Sequence, residues 1–297
     1  MLRIVAGTYH VEIAGARRIL ECSLRGRVKH AAAVQVAVGD RVRVERLADG
    51  SCRIRELLPR SGVLSRLGVA RRREQVIAAN VDQVAAVVAV AQPEPDLSML
   101  DRLLVVGELN RLAALLIVNK RDLRPPDTPS PPSVFRAYGE AGYDVLLTSA
   151  KSGEGLSALR RRLRRRTTVL TGPSGVGKSS LLNALMPGLG LRIGQVGDRS
   201  GKGRHTTVAA ALYPFGEGGY VVDTPGLQYL SLWKADPAAL SAAFPEFRPL
   251  ARDCRFADCR HRSEPGCAVL ASVTAGTVTD SRYRSYVALL EEAEARG

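Results

Sequence analysis

The sequence predicts a multidomain α/β protein with an OB-like N-terminal β-barrel, a doubly wound sheet, and a helical C-terminal part that binds zinc. Three observations predict this fold class. Residues 4–65 alternate apolar and polar positions, later apolar runs alternate with segments of helical period, and three cysteines bunch near residue 260. The 297 residues suffice for two or three domains, which we expect at 1–68, 76–232 and 233–297.

Composition favours a polyanionic partner. Lys and Arg outnumber Asp and Glu by 43 to 29, a net charge of +14 that suits nucleic acid or an acidic membrane. An aromatic fraction of 5% argues against a surface that stacks bases. The longest apolar run, Val84–Ala91, is too short to cross a bilayer, and the N-terminus lacks the apolar core of a signal peptide. We therefore expect a soluble, cytoplasmic and monomeric protein without a membrane partner.

The first 68 residues predict the barrel. HVEI and RILECSL alternate around Gly15, and VGDRVRVE alternates after the turn at Gly39–Asp40. An OB-like or SH3-like barrel of about 60 residues fits this pattern. Its basic side chains are Arg17, Arg18, Arg25, Arg27, Lys29, Arg41, Arg43 and Arg46. Two interpretations stay open: these side chains contact RNA, or alternation only places them in solvent.

The doubly wound sheet is expected between residues 76 and 232. After a basic joint at Arg71–Glu74 that favours a helix, VDQVAAVVAV is typical of a parallel strand buried on both faces, and LSMLDRLLVVGELN has helical spacing. Further strands are predicted at AALLIV, DVLLTSA, TTVLTG and GYVVDTPG. A helix with leucines at 156, 159 and 163 would expose six arginines, either to a polyanion or only to solvent: Arg160, Arg161, Arg162, Arg164, Arg165 and Arg166.

GPSGVGKS at 172–179 fits the phosphate-loop pattern G-x-x-x-x-G-K-[ST]. It follows a predicted strand and precedes a predicted helix, which is the context the motif requires; a plain glycine-rich turn is the alternative. Backbone N–H groups would bind phosphate, Lys178 would face the outer phosphates, and Ser179 would bind Mg²⁺. The predicted phosphate-binding residues are Gly172, Pro173, Ser174, Gly175, Val176, Gly177, Lys178, Ser179 and Ser180.

Three short motifs at other strand ends complete a nucleotide site. The Asp122 carboxylate can accept two hydrogen bonds from guanine, whereas adenine offers no such pair of donors, so GTP is preferred over ATP. The Ser149 segment would close over the base, and DTPG would hold Mg²⁺ and face the γ-phosphate. The residues in these motifs are Asn119, Lys120, Asp122, Ser149, Ala150, Lys151, Asp223 and Gly226.

The order of these motifs predicts a circularly permuted P-loop GTPase domain. In ordinary GTPases the phosphate loop comes first, whereas here the base-reading motifs at 119–122 and 149–151 precede the loop at 172–179 and DTPG at 223–226. Joining the old termini and cutting a surface connection leaves the strand-end loops converging. A movement of the DTPG loop could then act directly on the C-terminal part.

The hydrolytic residue is not the usual one. Leu227 follows Gly226 where Ras-type proteins place a glutamine that orients water, and leucine cannot do this. GRHTT at 203–207 stands in the position of a switch segment. Thr206 or Thr207 would complete the Mg²⁺ site, and His205 would either orient water or be an exposed switch residue.

A cluster near the C-terminus predicts one structural zinc ion. Cys254, Cys259, His261 and Cys267 supply four ligands within 14 positions. Unrelated buried thiols are the alternative. The arginines between the ligands would display positive charge from a stiff loop: Arg252, Arg255, Arg260 and Arg262.

Taken together, these motifs resemble the bacterial ribosome small subunit-dependent GTPase A family, RsgA, over nearly the whole chain. The segments that carry the resemblance are ANVDQV, LDRLLV, NKRDL, TSAKSGEGL, GPSGVGKSSLLNAL, GRHTT, DTPGL, FPEF and CRFADCRHRSEPGCAV. The resemblance implies a late assembly factor that docks on the small ribosomal subunit and its rRNA, hydrolyses GTP to GDP faster there, and then leaves. It places the catalytic histidine at His205 and the zinc ligands at the four residues above. Arg121, Arg124 and 208–211 depart from the family pattern.

Two other functions stay open at this point. The chain could be a GTP-sensing RNA-binding module whose hydrolysis is incidental, or a P-loop kinase or ATPase with a zinc-stabilised tail. Asp122 argues against the adenine nucleotide of the latter.

Overall fold

The computed structural model describes residues 1–16, 18–24, 35–67, 74–125, 132–189, 210–216, 218–223 and 236–295. Its strands are β1 Arg3–Val5, β2 Thr8–Glu12, β3 Ile19–Leu24, β4 Val42–Arg46, β5 Cys52–Leu57, β6 Val63–Leu67, β7 Glu74–Ala79, β8 Gln83–Ala89, β9 Ala113–Asn119, β10 Asp144–Leu147, β11 Thr167–Thr171, β12 Ala211–Phe215 and β13 Gly219–Asp223. Its α-helices are α1 Leu97–Leu109, α2 Ser133–Glu140, α3 Leu156–Leu163, α4 Lys178–Leu185, α5 Pro237–Leu240, α6 Phe247–Ala251, α7 Ala268–Thr274 and α8 Asp280–Glu294. Within these ranges, no helix has both the length and the apolar character that a membrane crossing needs.

The central sheet has the strand order β10-β9-β8-β11-β13-β12. Its neighbours are parallel except β12, which runs antiparallel to β13. The doubly wound sheet predicted from the sequence is therefore confirmed. The sequence analysis missed β12, because this strand is short and contains Pro214, which lacks a backbone donor.

Strand β8 shows why its sequence is almost uninterruptedly apolar. All seven of its residues are buried. Val84, Ala86 and Val88 pack into the core with α1 and the C-terminal helices, whereas Ala85 and Val87 pack into the core with α3 and α4. A strand covered on both faces has no solvent side on which polar residues could alternate.

The N-terminal strands continue the same sheet in the order β1-β2-β3-β5-β4, with β3 and β5 parallel. The Gly39 N–H donates to the Met1 carbonyl at 2.9 Å, and the Met1 amino group donates to the Asp40 carbonyl at 2.9 Å. The chain leading into β4 therefore meets the start of β1. This order agrees with a five-stranded Greek-key barrel, and its classification as OB-like stays a prediction.

Several contacts join the N-terminal strands to the central part, among them a hydrogen bond from the Tyr220 hydroxyl to Glu12 at 2.9 Å. Arg3 of β1 pairs with Ala211 of β12, and the Leu212 N–H donates to the Leu2 carbonyl at 2.8 Å. The antiparallel pair β6–β7 lies between the two regions in sequence. Because β7 begins at Glu74, the helix-favouring joint predicted for Arg71–Glu74 is wrong at that residue, while 71–73 lie outside the described residues. The domain limits at 1–68, 76–232 and 233–297 stay predictions.

The C-terminal helices pack on α1 through a buried charged cluster. The Arg282 side chain, 2% exposed, donates from Nη1 to Asp101 Oδ1 at 2.7 Å and from Nε to Glu246 Oε1 at 2.7 Å. Its guanidinium carbon lies 4.6 Å from the ring centroid of Phe244. Tyr138 of α2 donates to the same Asp101 oxygen at 2.8 Å. One arginine thus links α8, α1, α2 and the residue before α6.

Helix α3 is amphipathic, as predicted. Leu159 and Leu163 are buried, and the six neighbouring arginines are exposed. Several of those arginines nevertheless bind the protein itself. Arg160 donates to the Leu185 carbonyl at 2.8 Å, Arg162 to Asp144 at 3.0 Å and Arg166 to Gln83 at 2.9 Å. The exposed positive charge of this helix is therefore partly committed to intramolecular contacts.

Candidate nucleotide site and metal cluster

The predicted nucleotide-binding motifs follow the carboxyl ends of adjacent parallel strands. Asn119 ends β9, Ser149 lies just after β10, Gly172 follows β11, and Asp223 ends β13. Because these four strands are parallel neighbours or flank β8, their ends share one edge of the sheet. Ligands of open α/β sheets bind at this edge.

The phosphate loop requires glycine at two positions. Gly172 has φ of 150°, and a Cβ there would lie 2.1 Å from the Val87 carbonyl oxygen. Gly177 has φ of 93°, and a Cβ there would lie 2.4 Å from Asn119 Nδ2. Gly177 also caps α4 without a side chain, so the first N–H groups of that helix are left to bind an anion.

The Lys178 side chain folds back onto the phosphate loop. Its Nζ donates to the carbonyls of Gly172 at 2.8 Å and Pro173 at 2.7 Å. Burial lowers the pKa of Lys178, and the Asp223 carboxylate opposes this effect. An anionic phosphate in the loop would further favour the charged ammonium, so the site is electrostatically suited to a polyphosphate.

Asn119 connects three of the predicted motifs. It is 1% exposed, and its Nδ2 donates to the Val176 carbonyl at 2.8 Å. Its Oδ1 accepts from the Ala150 N–H at 3.3 Å and from Thr148 Oγ1 at 3.2 Å. The base-reading motif, the segment after β10 and the phosphate loop therefore meet at one side chain.

The Asp122 carboxylate is held in place from the next strand. Its Oδ1 accepts from Ser149 Oγ at 2.5 Å, and the same hydroxyl oxygen accepts from the Ser152 N–H at 3.0 Å. Asp122 is otherwise exposed, so its carboxylate is accessible to a ligand. Lys120, at φ of 63°, donates from Nζ to the Gln92 carbonyl.

Sequence reasoning missed Thr148 and Gln92. Thr148 directly precedes Ser149-Ala150-Lys151, so its position beside a recognised triplet was an available signal. Gln92 lies 28 residues before Lys120, and no local pattern links the two. Ser179 and Ser180 lie in the first turn of α4, and Ser174 and Gly175 lie in the phosphate loop. His205, Thr206, Thr207, Gly226 and Leu227 lie outside the described residues.

Cys254, Cys259, His261 and Cys267 form one cluster whose ligand atoms all lie within 4.8 Å of one another. Cys254 Sγ lies 3.9 Å from Cys267 Sγ and 3.6 Å from His261 Nδ1, and that nitrogen lies 3.4 Å from Cys267 Sγ. A tetrahedral zinc ion places sulfur and nitrogen ligands about 3.5–3.8 Å apart. The donor set and its spacing fit zinc.

The orientation of His261 is fixed by neighbouring residues. Its Nε2 lies 2.8 Å from Ser241 Oγ, which leaves Nδ1 facing the thiols. Tyr283 and Tyr286 of α8 donate to the carbonyls of His261 at 2.9 Å and Arg260 at 2.7 Å. Burial raises the pKa of Cys259 to about 12. A divalent cation would oppose that effect by stabilising the thiolate.

The arginines of this loop are less free than the sequence suggested. Arg260 pairs with Glu294 at 2.5 Å, and Arg262 pairs with Glu291 at 2.9 Å. Both carboxylates belong to α8, which sequence spacing could not bring beside the loop. All four loop arginines are exposed, and the ion pairs to α8 restrain Arg260 and Arg262, so the display of positive charge by this loop stays a prediction.

Comparison with known proteins identifies relatives along the chain. The RsgA GTPase family model matches residues 57–233. The small ribosomal subunit biogenesis GTPase RsgA of Gemmatimonas aurantiaca is 49% identical over 275 residues, which cover 91% of this chain and 89% of that protein. The protein of the same name from Moorella thermoacetica is 42% identical and covers 100% of this chain and 97% of its own.

Solved structures show the same similarity. The crystal structure of YjeQ from Thermotoga maritima has a TM-score of 0.79 at 34% identity, covering 100% of this chain and 98% of that one. YloQ, described as a circularly permuted GTPase, has a TM-score of 0.76 at 30% identity, covering 100% and 94%. The permuted motif order inferred from the sequence is thus shared with a structure of that description.

Proposed function

This chain belongs to the RsgA GTPase family, and from that premise we propose how its residues bind and hydrolyse GTP. It is a GTP hydrolase of small ribosomal subunit biogenesis. The observation that carries the assignment is the meeting of the phosphate loop and the base-reading motifs at Asn119. Family membership excludes the kinase or ATPase alternative.

Guanine recognition is assigned to Asp122. Its carboxylate is exposed, and the Ser149 hydroxyl holds one oxygen at 2.5 Å, so the group is oriented before nucleotide arrives. Asn119, three residues earlier, donates to the Val176 carbonyl and so joins the base-reading motif to the phosphate loop. A purine with an N1–H and an exocyclic amino group would satisfy the carboxylate, and adenine would not.

The phosphates would bind in the loop at 172–179. Lys178 would exchange its carbonyl partners for phosphate oxygens, a small movement because its Nζ already lies within the loop. Ser179 and Asp223, with Thr206 or Thr207, would hold Mg²⁺. When bound with GTP, that ion would neutralise charge on the outer phosphates.

For the hydrolytic step we assign His205 as the residue that orients water. Leu227 lacks a hydrogen-bonding group, and His205 lies in the polar switch segment beside the two threonines. We further propose that docking on the small subunit during late maturation brings His205 towards the γ-phosphate, which would make hydrolysis dependent on the subunit.

The remaining assignments concern metal, partner and location. The Cys₃His cluster would bind one structural zinc ion, because its ligand spacing matches a tetrahedral site without an open position. Phosphate contacts to rRNA by exposed basic residues would suit a net charge of +14. We propose a monomer that acts in the cytoplasm, where ribosomal subunits mature, with no membrane partner.

The decisive experiment measures GTP turnover with and without small subunits. Wild-type protein should be slow alone and faster with subunits. His205→Ala should lose most of the stimulated rate, about 10²–10⁴-fold, while GTP affinity and subunit binding persist. A stimulated rate within about twofold of wild type, well outside the range for a general acid or base, would exclude His205. Absence of any stimulation would favour a GTP-sensing RNA-binding module whose hydrolysis is incidental.

Base specificity is tested separately with Asp122→Asn. Losing the bidentate contact should weaken GTP binding by about 1–3 kcal/mol and shift preference towards xanthosine triphosphate. Competition between GTP and xanthosine triphosphate, measured in the variant and in wild type, gives the change in preference independently of how much protein is active. An unchanged preference would contradict the assignment of Asp122.

A further inference from the structure

Two cysteines of the N-terminal sheet lie in contact outside both sites described above. Cys22 of β3 and Cys52 of β5 are register partners on parallel neighbouring strands. They are 2% and 9% exposed, and both belong to the small apolar core of this sheet. Burial and, after it, the neighbouring Cys52 thiol both raise the pKa of Cys22. The two thiols therefore lie beside each other on one face of the sheet.

This placement meets the geometric requirements of a disulfide. Register partners on adjacent strands have Cα atoms about 5 Å apart, within the range of about 4.4–6.8 Å that disulfides span. Because both side chains enter the same core, their Cα–Cβ bonds point to the same side of the sheet. The three other cysteines belong to the metal cluster, so this pair is chemically separate.

We propose that Cys22 and Cys52 form a redox-active dithiol, which hydrogen peroxide oxidises to an intramolecular disulfide and a small dithiol reduces again. One sulfur attacks a peroxide oxygen; the O–O bond breaks, and a sulfenic acid and one water form. The second thiol then attacks that sulfur, the S–S bond forms, the S–O bond breaks, and a second water leaves. The two sulfurs together lose two electrons, which the peroxide accepts.

Burial determines how this dithiol reacts. It raises the pKa of Cys22 to about 11, so little thiolate is present near neutral pH and the reaction is slow. Strand β4 covers one side of β5 and forms the end of the sheet. Fraying of this terminal strand would admit a small oxidant such as peroxide more readily than a bulky one. The pair therefore responds to sustained oxidation, as expected of a regulatory disulfide in a reducing compartment.

The disulfide would change the mechanics of the N-terminal sheet. It would join β3 to β5 covalently, and the loop that it closes runs from residue 22 to residue 52. Cross-linking restricts the unfolded chain, so the thermal unfolding midpoint of this sheet should rise on oxidation.

The test maps cysteine pairs in the full-length protein. Folded wild-type protein is treated with hydrogen peroxide, quenched with catalase, unfolded, capped with N-ethylmaleimide and digested for mass spectrometry. We expect a Cys22–Cys52 linked peptide that dithiothreitol removes, with loss of both thiols from the capped pool. Protein unfolded in urea before oxidation should give mixed cysteine pairs instead.

The variants Cys22→Ala and Cys52→Ala are matched controls. In each, the remaining cysteine should be capped or trapped by dimedone as a sulfenic acid, and peroxide should no longer raise the unfolding midpoint. The wild-type peptide map shows whether the Cys22–Cys52 disulfide forms, even if a variant folds poorly. Complete capping of Cys22 and Cys52 in oxidised, folded wild type would overturn the proposal, as would equal formation of the linked peptide in urea.

Discussion

The N-terminal strands and the C-terminal helices are attached to the central sheet by different kinds of contact. The N-terminal strands are joined mainly through the backbone, by the pairing of Arg3 with Ala211 and the Leu212 to Leu2 hydrogen bond. The C-terminal helices are joined through side chains, above all the Arg282 cluster. Almost any residue can make a backbone hydrogen bond, whereas a buried guanidinium requires its own carboxylates.

Because the two attachments use different contacts, different substitutions should weaken them. Burial raises the pKa of Asp101, and the positive charge of Arg282 opposes this effect. Removing Arg282 would leave Asp101 and Glu246 without their cation. The Arg3–Ala211 and Leu212–Leu2 contacts depend on backbone groups, so a substitution that removes the N–H would break the pairing. The two attachments should therefore respond to different substitutions.

The largest expected effect is that of Arg282→Met. It removes the charge, keeps much of the volume, and leaves two carboxylates uncompensated, one of them fully buried, so the C-terminal attachment should weaken by about 3–5 kcal/mol. Hydrogen exchange of amides in α1 and α8 measures this loss. Arg284→Met is the matched control, because Arg284 lies on the same helix with its side chain 78% exposed. Equal effects of the two substitutions would refute the dominance of Arg282.

Leu212→Pro tests the backbone character of the N-terminal attachment. It removes the N–H that donates to the Leu2 carbonyl, so protection of the N-terminal strands should fall by about 1–3 kcal/mol. Leu212→Val keeps the N–H and changes only the side chain, which makes it the control. If valine destabilised the junction as much as proline, side-chain packing would carry the attachment instead.

Removal of metal should affect the C-terminal helices and leave the N-terminal strands unchanged. Ser241→Ala removes the partner of His261 Nε2, and loss of such a contact typically lowers metal affinity about 10–100-fold. Competition with a chelator measures zinc affinity. Ser263→Ala is the control, because Ser263 is an exposed serine between the ligands His261 and Cys267. Exchange in the N-terminal strands should not change on chelation. Equal zinc affinity in both variants would exclude a role for Ser241.

Tyr220→Phe probes a side-chain hydrogen bond at the N-terminal junction. Tyr220 of β13 donates to Glu12 of β2 at 2.9 Å, so its loss should cost about 0.5–1.5 kcal/mol. Denaturant unfolding monitored in the N-terminal strands gives the value. A loss as large as that of Arg282→Met would show that the two attachments are alike after all.

The smallest effect concerns acid. Although burial opposes ionisation, hydrogen bonds from four backbone N–H groups of the metal loop lower the pKa of Glu264 to about 2 from its ordinary 4.5. A depressed pKa stabilises the fold above pH 4.5, and that contribution is lost as the pH falls from about 4.5 to 2. Solvent screening limits it to about 0–1 kcal/mol. Glu264→Gln should flatten this part of the stability–pH curve relative to wild type; parallel curves would contradict the assignment.

Much of the fold was predictable because short stretches of sequence indicate its strands, helices and loops. Strand β8 reads as apolar throughout because both its faces are covered, and GPSGVGKS reads as a phosphate loop because its glycines meet close backbone and side-chain neighbours. Strand β12 was missed because Pro214 interrupts a short pattern, and Glu74 was misassigned because charge and helix propensity gave no sign of the partner strand β6. Strand pairing depends on distant neighbours, which propensity does not contain.

The chemistry of the sites could be inferred from the sequence, because the residue types and spacings of the phosphate loop, the base-reading motif and the Cys₃His cluster are local and short. Which of these motifs lie together, and which contacts hold them, depends on long-range packing that appears in the folded chain alone. It brought Asn119 to Val176 across 57 positions, Arg282 to Asp101 across 181, and Cys22 to Cys52 on neighbouring strands. Sequence spacing determines which side chains can touch only when they are a few residues apart. For residues farther apart, the packing of whole strands and helices determines which side chains meet.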